Sequence, residues 1–314
     1  MVIFPLHLFK ALADETRLRI VNILRYHDFN VNELVTILEM GQSRISRHLK
    51  ILTDSEILNF QREGLWIFYY PNRSGSGADF LEAVKDLLNK EPHFSSDREK
   101  AKSLLENTKD QTLSFFNTLA QEWNSLKQNI FSGFDMESVL LDNIEHCESA
   151  ADLGCGTGDF LSSLLARADK VIGVDASKSM LGKAQKTIEN SGSPERIELR
   201  LGEIEHLPLR DNEVDCALIN MVLHHLPSPI TGIQEAQRVL KNGKSIVVTD
   251  FLKHNDESLR TRFGDRRLGF TPEDIEKMLS ESGFTLEKHR TYPLQNGLSI
   301  LLYSAKKTSQ GVYV

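Results

Sequence analysis

No run of apolar residues in this 314-residue chain reaches the ~20 that a membrane-spanning helix needs. Cysteine is scarce. Cys147, Cys155 and Cys216 have no metal-ligand spacing and form no even set for a disulfide framework, so a reducing, cytoplasmic setting is expected. The start, Met1-Val2-Ile3-Phe4-Pro5, lacks the basic segment and small-residue cleavage site of an export signal. There is no internal repeat and no low-complexity tract. A net positive charge is missing too: the chain carries −7, which weighs against nucleic acid until it is divided. Residues 1–75 hold 9 Lys/Arg and 8 Asp/Glu, whereas the remainder holds 28 and 36. The acidity therefore lies in the later part, and DNA binding by the first part survives the objection.

What is present suits two or three domains. Arg73-Ser74-Gly75-Ser76-Gly77 reads as linker punctuation. Residues 78–132 read as helix with breaks near Glu91-Pro92-His93, because Phe80, Leu81, Val84, Leu87 and Leu88, then Phe115, Phe116, Leu119, Trp123 and Leu126, recur at helical spacing. From about residue 149 strands alternate with helices. Strands are expected at Ala150–Leu153, Lys170–Val174, Ile197–Leu201, Cys216–Ile219 and Ser245–Asp250, which implies a parallel sheet with helices on both faces. The predicted boundaries are 1–77, a helical connector and dimerisation region at 78–133, and an α/β domain at 134–308.

In the first segment Asp14 is a helix N-cap, and Leu18, Val21 and Leu24 form an inward stripe. A second helix covers Val31–Leu38. After a turn at Met40-Gly41-Gln42-Ser43, a third covers Gln42–Thr53. On it Ile45, Leu49 and Leu52 share an inward face, leaving Ser43, Arg44, Ser46, Arg47, His48 and Lys50 outward, with Gln42 at the start. Small hydroxyls, an amide and arginines on the first half of a helix suit phosphate contact and base-edge reading. Leu58-Asn59-Phe60-Gln61, a turn at Arg62-Glu63-Gly64 and Leu65–Tyr70 read as a β-hairpin with a charged tip, the wing of a winged helix. The aromatic run Trp66–Tyr70 reads as a strand packed on that core. Phe9–Ile20 and Ser46-Arg47-His48-Leu49-Lys50-Ile51-Leu52 resemble the first helix and the recognition helix of ArsR-type winged-helix regulators. The resemblance implies a homodimer on a two-fold operator, with Arg62 reaching DNA from the wing. Many members bind thiophilic metals through cysteines at the start of the second helix. Here those positions read Asn30-Val31-Asn32-Glu33, so no metal site is expected there, and no spacing suggests one elsewhere.

In the later segment Asp152-Leu153-Gly154-Cys155-Gly156-Thr157-Gly158 follows an apolar strand and opens a helix, and Asp175 ends the next strand. A glycine loop with an acid about twenty residues on fits a nicotinamide dinucleotide as well as S-adenosylmethionine. Three features separate them. The glycines run Gly-x-Gly-x-Gly, and the third glycine of a pyrophosphate loop is replaced by Asp159, which repels phosphate. Asp152 can face a cationic amino group. The segment is acidic overall. The segment then resembles class I S-adenosylmethionine-dependent methyltransferases in four places. These are the loop, Asp175-Ala176-Ser177-Lys178-Ser179-Met180-Leu181, Leu201-Gly202-Glu203-Ile204-Glu205-His206-Leu207-Pro208 and Val214–Leu226.

By that resemblance Asp175 grips the ribose hydroxyls, Ala176 and Met180 lie near the adenine, and Gly202, Glu203 and Ile204 meet its edge. Asn220 and Leu223 sit near the methionine end. Arg238–Lys244 lacks the usual Pro-Gly-Gly of the turn before the fifth strand. Ser114–Asn117, Glu122-Trp123-Asn124 and Asp265–Thr271 resemble segments of a fusion family that joins the two domain types.

The expected fold is therefore α/β plus winged helix, with a helical connector and a Rossmann-like doubly wound sheet. The expected function is a transcriptional regulator with S-adenosylmethionine or S-adenosylhomocysteine as effector. The alternative is an active methyltransferase that uses the winged helix for targeting; a metal-responsive repressor with an inert extra domain ranks last. No catalytic residue is assigned. His224 and His225 invite a general-base role, but His225 reads as packing beside the fourth strand and His224 as facing the pocket for shape; Cys155 and Cys216 read as small apolar fillers, and Phe116 and Trp123 as either packing or lid. Operator DNA and the adenosyl ligand are the expected partners, with no membrane.

Overall fold

The computed structural model describes residues 6–63, 65–90, 92–119, 127 and 130–308. The chain divides into two compact units, Met1–Asp110 and Gln111–Val314.

The first unit begins with α1 (Leu6–Leu12), α2 (Glu15–Leu24), β1 (Phe29–Asn30), α3 (Val31–Leu38) and α4 (Gln42–Asp54). Asp14 caps α2 by accepting the Arg17 amide at 3.1 Å, as its position predicts. Asn30 and Glu33 form a reciprocal capping box on α3. Ile45, Leu49 and Leu52 of α4 are fully buried against Ile20, Val21 and Leu24 of α2 and Leu34 and Ile37 of α3. Leu18 is only partly buried, at the edge of this core. β2 (Leu58–Glu63) and β3 (Trp66–Pro71) pair antiparallel from Leu58↔Pro71 to Glu63↔Trp66, which is the expected wing, and β1 adds a third strand on β3. Phe68 is buried on that strand, while Trp66 is exposed.

Two expectations need correction here. Residues 73–77 are not a linker, because α5 (Gly75–Lys90) starts inside them. A Cβ on Gly77 would stand 2.0 Å from the Glu56 carbonyl oxygen, so this glycine exists to let the helix lie against that backbone. The boundary also does not fall at 77. Phe80, Leu81 and Leu88 of α5, and Phe94, Ala101 and Leu105 of α6 (Pro92–Leu119), join the winged-helix core. Asp97 of α6 is buried and takes Arg19 of α2 on both oxygens, at 2.6 and 2.7 Å. The expected connector thus contributes its first 33 residues to the first unit, which ends at Asp110. Trp123 and Leu126 lie outside the described residues.

The second unit is built on a seven-stranded sheet in the order β6-β5-β4-β7-β8-β10-β9. β4 (Cys147–Leu153), β5 (Ala168–Asp175), β6 (Ile197–Leu201), β7 (Val214–Asn220) and β8 (Leu240–Phe251) contain the five expected strands and run parallel. Alternate residues face opposite layers. Ala151, Leu153, Ile172, Val174, Ala217 and Ile219 join one core with the helices Pro229–Val239 and Pro272–Glu281; Ala150, Val171, Cys216 and Leu218 join another with Leu161, Leu164 and Ile188. β9 (Phe284–Pro293) and β10 (Ser299–Lys307) were not expected from the sequence; β10 lies antiparallel between β8 and β9. From β4 the chain winds to β5 and β6, then crosses back to β7 on the other side. The strand order therefore reverses between β4 and β7, where a doubly wound sheet opens a crevice at the carboxyl ends.

Candidate functional site

On the first unit, Gly41 precedes α4 as its N-cap and offers no side chain to the first turn, where the Arg44 and Ile45 amides donate to the Gly41 carbonyl at 3.0 and 3.2 Å. Gln42, Ser43, Ser46, Arg47 and Lys50 are exposed, as is Arg62 on the wing. Lys50 pairs with Asp54 of its own helix at 2.9 Å. Arg44 is exposed along its length but donates to the buried Thr16 hydroxyl at 3.0 Å, which fixes its direction. His48 departs from the expected outward face. Its ring is largely covered, 3.6 Å from Asp14, and burial lowers its pKa while Asp14 opposes that shift.

On the second unit, the loop after β4 turns back on itself. Gly154, Gly156 and Gly158 all have positive φ (90°, 52° and 74°). The Gly154 and Cys155 amides donate to the Val174 carbonyl at 2.8 and 2.9 Å, tying the loop to β5. The Gly156 amide donates to Asp175 Oδ2 at 2.8 Å and the Ser177 amide to Asp175 Oδ1 at 2.8 Å. Each Asp175 oxygen keeps a further lone pair for another donor. Burial raises the Asp175 pKa, and the two amides oppose it.

Asp152 ends β4 under this loop. It is buried and has no hydrogen-bond partner among the described residues. Its pKa is pushed up to about 7 by burial, with Lys127 opposing and Asp175 and Asp159 adding to the rise. In the loop that follows it, a Cβ on Gly156 would meet nothing within 4 Å. A buried carboxylate without a donor, below a glycine loop, is a place for a cationic group that the chain itself does not supply. Asp159 is paired with Lys127 at 3.0 Å.

The remaining expected residues come to the same edge. Ser177 caps the helix Lys178–Glu189 through the Met180 amide, and Met180 is buried. The Gly202 amide donates to the Asp175 carbonyl at 3.0 Å, which holds the β6 end against the β5 end. Ala176 is half-buried, Glu203 is exposed, and Ile204 and Leu223 are buried in the core below. Asn220 Oδ1 accepts the Thr249 hydroxyl at 2.7 Å. Asn117 carries no site role in the sequence reading, only a place in the Ser114–Asn117 resemblance. Its Oδ1 accepts the Ser177 hydroxyl at 2.6 Å, while the neighbouring Phe116 meets His225 edge-on, ring centres 4.8 Å apart. Residues 116–117 therefore touch both the β5 end and the segment after β7. Glu122, Trp123 and Asn124 fall outside the described residues.

The histidines are more than packing. His224 Nδ1 lies 2.7 Å from Asp250 Oδ1, and the His224 amide donates to Asp250 Oδ2 at 3.2 Å, all of it buried. Asp265 stands 3.6 Å from His224 Nε2 and 3.7 Å from His225 Nδ1. No spacing signal could reveal this group, because Asp250 and Asp265 lie 25 residues or more along the chain. The cysteines behave as expected of fillers: Cys155 and Cys216 are buried, and burial drives both thiols up, away from thiolate.

Residues 14–59 match the family model of bacterial regulatory proteins of the arsR family, and residues 151–248 match a methyltransferase domain. An uncharacterised 37.1 kDa protein in transposon TN4556 of Streptomyces fradiae is 39% identical over 117 residues, 36% of this chain and 33% of that protein. The demethylmenaquinone methyltransferase of Desulfitobacterium hafniense is 32% identical over 147 residues, 44% of this chain and 57% of that one. The arsenite methyltransferase of Halobacterium salinarum is 31% identical over 146 residues, 44% of this chain and 37% of that one. The chain thus spans from 33% to 57% of the length of these relatives. In fold, it is similar to one chain of the complex between the Haloferax volcanii Trm112 methyltransferase activator and a methyltransferase, with 15% identity, TM-score 0.52, and coverage of 62% of this chain and 98% of that one.

Proposed function

We infer that this chain, which joins an ArsR-family helix-turn-helix to a methyltransferase domain, is a transcriptional regulator whose second unit binds S-adenosylmethionine or S-adenosylhomocysteine as effector. The observation that carries the ligand is Asp152, a buried carboxylate without a donor at the start of the glycine loop. Both ligands bring an amino-acid ammonium that Asp152 can take, and a ribose diol that the free lone pairs of Asp175 can accept. Gly202 and Glu203, just past β6, and Met180 are the residues this reading assigns to the base, and the hydrogen bond from the Gly202 amide to the Asp175 carbonyl supports it by holding the two strand ends together.

The DNA side rests on Gln42, Ser43, Ser46 and Arg47, which α4 leaves exposed at an uncapped N-terminus. A two-fold operator calls for a homodimer. Leu6 and Phe9, one turn apart on α1, are each half exposed, which supports a second copy covering them. Effector and operator are linked if ligand changes DNA affinity, and a coupling of about 1–3 kcal/mol gives a useful response. The test is DNA selected by the full chain from random sequence, titrated by fluorescence anisotropy with and without each ligand. A shift of fivefold or more is expected; identical curves would reject the effector role.

The second reading, an active methyltransferase, is favoured by the buried His224–Asp250 pair after β7. When bound, S-adenosylmethionine supplies an electrophilic methyl group, and a histidine fixed by Asp250 can orient an acceptor beside it. Methyl transfer to arsenic, as in the Halobacterium relative's name, is disfavoured by the buried, protonated state of Cys155 and Cys216. Sustained methylated product from labelled S-adenosylmethionine would establish this reading.

A further inference from the structure

We propose that His224, His225 and Asp265 form a binding site for a divalent transition-metal cation of the zinc class. The site is independent of whether the cleft above binds an adenosyl ligand. Three donor atoms, one from each residue, lie within 4.8 Å of one another, and all three residues are buried. His224 Nε2 and His225 Nδ1 stand 3.6 and 3.7 Å from the same oxygen, Asp265 Oδ1. Arms of about 2.1 Å at a tetrahedral angle place donors about 3.4 Å apart; the two histidine–carboxylate spacings lie close to that, and the histidine nitrogens lie within 4.8 Å of each other and must draw in to close the site.

Two further observations point to a missing ligand. Both carboxylate oxygens of Asp265 are buried with no hydrogen-bond partner, although its side chain is almost wholly removed from solvent. A carboxylate so placed costs several kcal/mol unless a cation meets it; His224, 3.6 Å away, meets it when protonated, and a metal ion would take the place of that proton. The other side of His224 is already arranged as metal-bound histidines usually are. Its Nδ1 is held by Asp250 Oδ1 at 2.7 Å, which directs Nε2 towards Asp265. His225 Nδ1 has only a long contact of 3.4 Å to the Gly264 carbonyl to give up.

Two imidazoles and one carboxylate leave a fourth position for water or a ligand atom, and they suit zinc(II), cobalt(II) or iron(II) better than magnesium or calcium. The site is distinct from the cysteine positions of the first unit's resemblance, and it would clamp the segment after β7 to the Gly264–Asp265 turn. The Arg266 and Arg267 amides already donate to the His224 carbonyl at 3.1 and 2.9 Å, so the same two segments are in register without metal.

The test uses the full chain, stripped with chelator and titrated with cobalt(II) as a spectroscopic probe. One equivalent is expected to produce visible d–d absorption of tetrahedral intensity, and one equivalent of zinc(II) to remove that absorption. Asp265→Asn and His225→Gln should each weaken cobalt binding at least tenfold. Zinc should raise the melting temperature of the parent chain but not of the variants, and the metal-free variants' own melting curves report whether they fold. No absorption at stoichiometric cobalt in the parent overturns the proposal and leaves a buried imidazolium between Asp250 and Asp265. Absorption that survives unchanged in folded Asp265→Asn overturns it equally.

Discussion

Asp175 Oδ2 accepts the Gly156 amide at 2.8 Å, so the acid that ends β5 holds the glycine loop that follows β4. One carboxylate thereby shapes the loop and still presents lone pairs to a ligand. Asp175→Ala removes both roles. Each hydrogen bond to a charged group is worth about 1.5–3 kcal/mol, so adenosyl-ligand affinity should fall by more than tenfold in calorimetry. Unaltered binding would show that the ligand lies elsewhere.

The Asp152 carboxyl titrates near pH 7 because burial disfavours its charge. Between the usual carboxylate range and about 7, the folded chain holds a proton that the unfolded chain has shed, so this group weakens folding as pH rises through that window. A cationic ammonium reverses the preference by favouring the carboxylate. Ligand affinity should therefore drop as pH falls below about 7, by up to about tenfold per unit, with proton release on binding near neutrality. Titrations in buffers of different ionisation enthalpy measure the release, and Asp152→Asn should abolish it along with the pH slope.

Gly154 cannot carry a side chain. Its φ is 90°, and an added Cβ would lie 2.6 Å from Val222 Cγ2. Gly154→Ala should lower stability by about 1–3 kcal/mol through strain and overpacking together. Adding Val222→Ala should recover only the overpacking share in chemical denaturation, because the backbone strain remains.

Arg47 is exposed on α4, away from the buried Ile45 and Leu49. Arg47→Ala should weaken DNA by about 1–3 kcal/mol and leave the adenosyl-ligand affinity of the second unit unchanged. Anisotropy across a salt series distinguishes the roles: a lost phosphate contact flattens the salt dependence, while a lost base contact relaxes sequence preference.

Asp97 keeps 3% of its side chain exposed and meets Arg19, which keeps 21%. Removing one partner of such a pair strands the other. Asp97→Ala should cost roughly 2–3 kcal/mol of first-unit stability, below the fully buried figure because Arg19 reaches water. The melting transition of the full chain reads this directly. An unchanged first transition would mean that α6 contributes no stability there.

Local patterns were legible without coordinates. The cap at Asp14, the Ile45-Leu49-Leu52 face, the wing and the five parallel strands all depend on neighbours within a few residues, which is where propensity and periodicity act. β9 was missed because it is an edge strand, mostly exposed, whose Thr-Leu-Glu-Lys-His-Arg run reads as polar surface. β10, almost wholly buried, has no alternation to mark it.

Chain-distant relations were not legible. Gly77 reads as linker composition until the Glu56 carbonyl is found against it, and the 78–105 helices read as a connector until their apolar faces are found in the winged-helix core. His48 reads as outward until Asp14 is found beside it, and His224-His225 read as filler until Asp250 and Asp265 arrive from later segments. The order of residues by itself determined which elements form and which chemistry each loop carries, since both follow from short-range sterics and side-chain type. Only the tertiary structure decided which charges lose water and which donors meet them, because desolvation is a property of the assembled core and not of any segment within it.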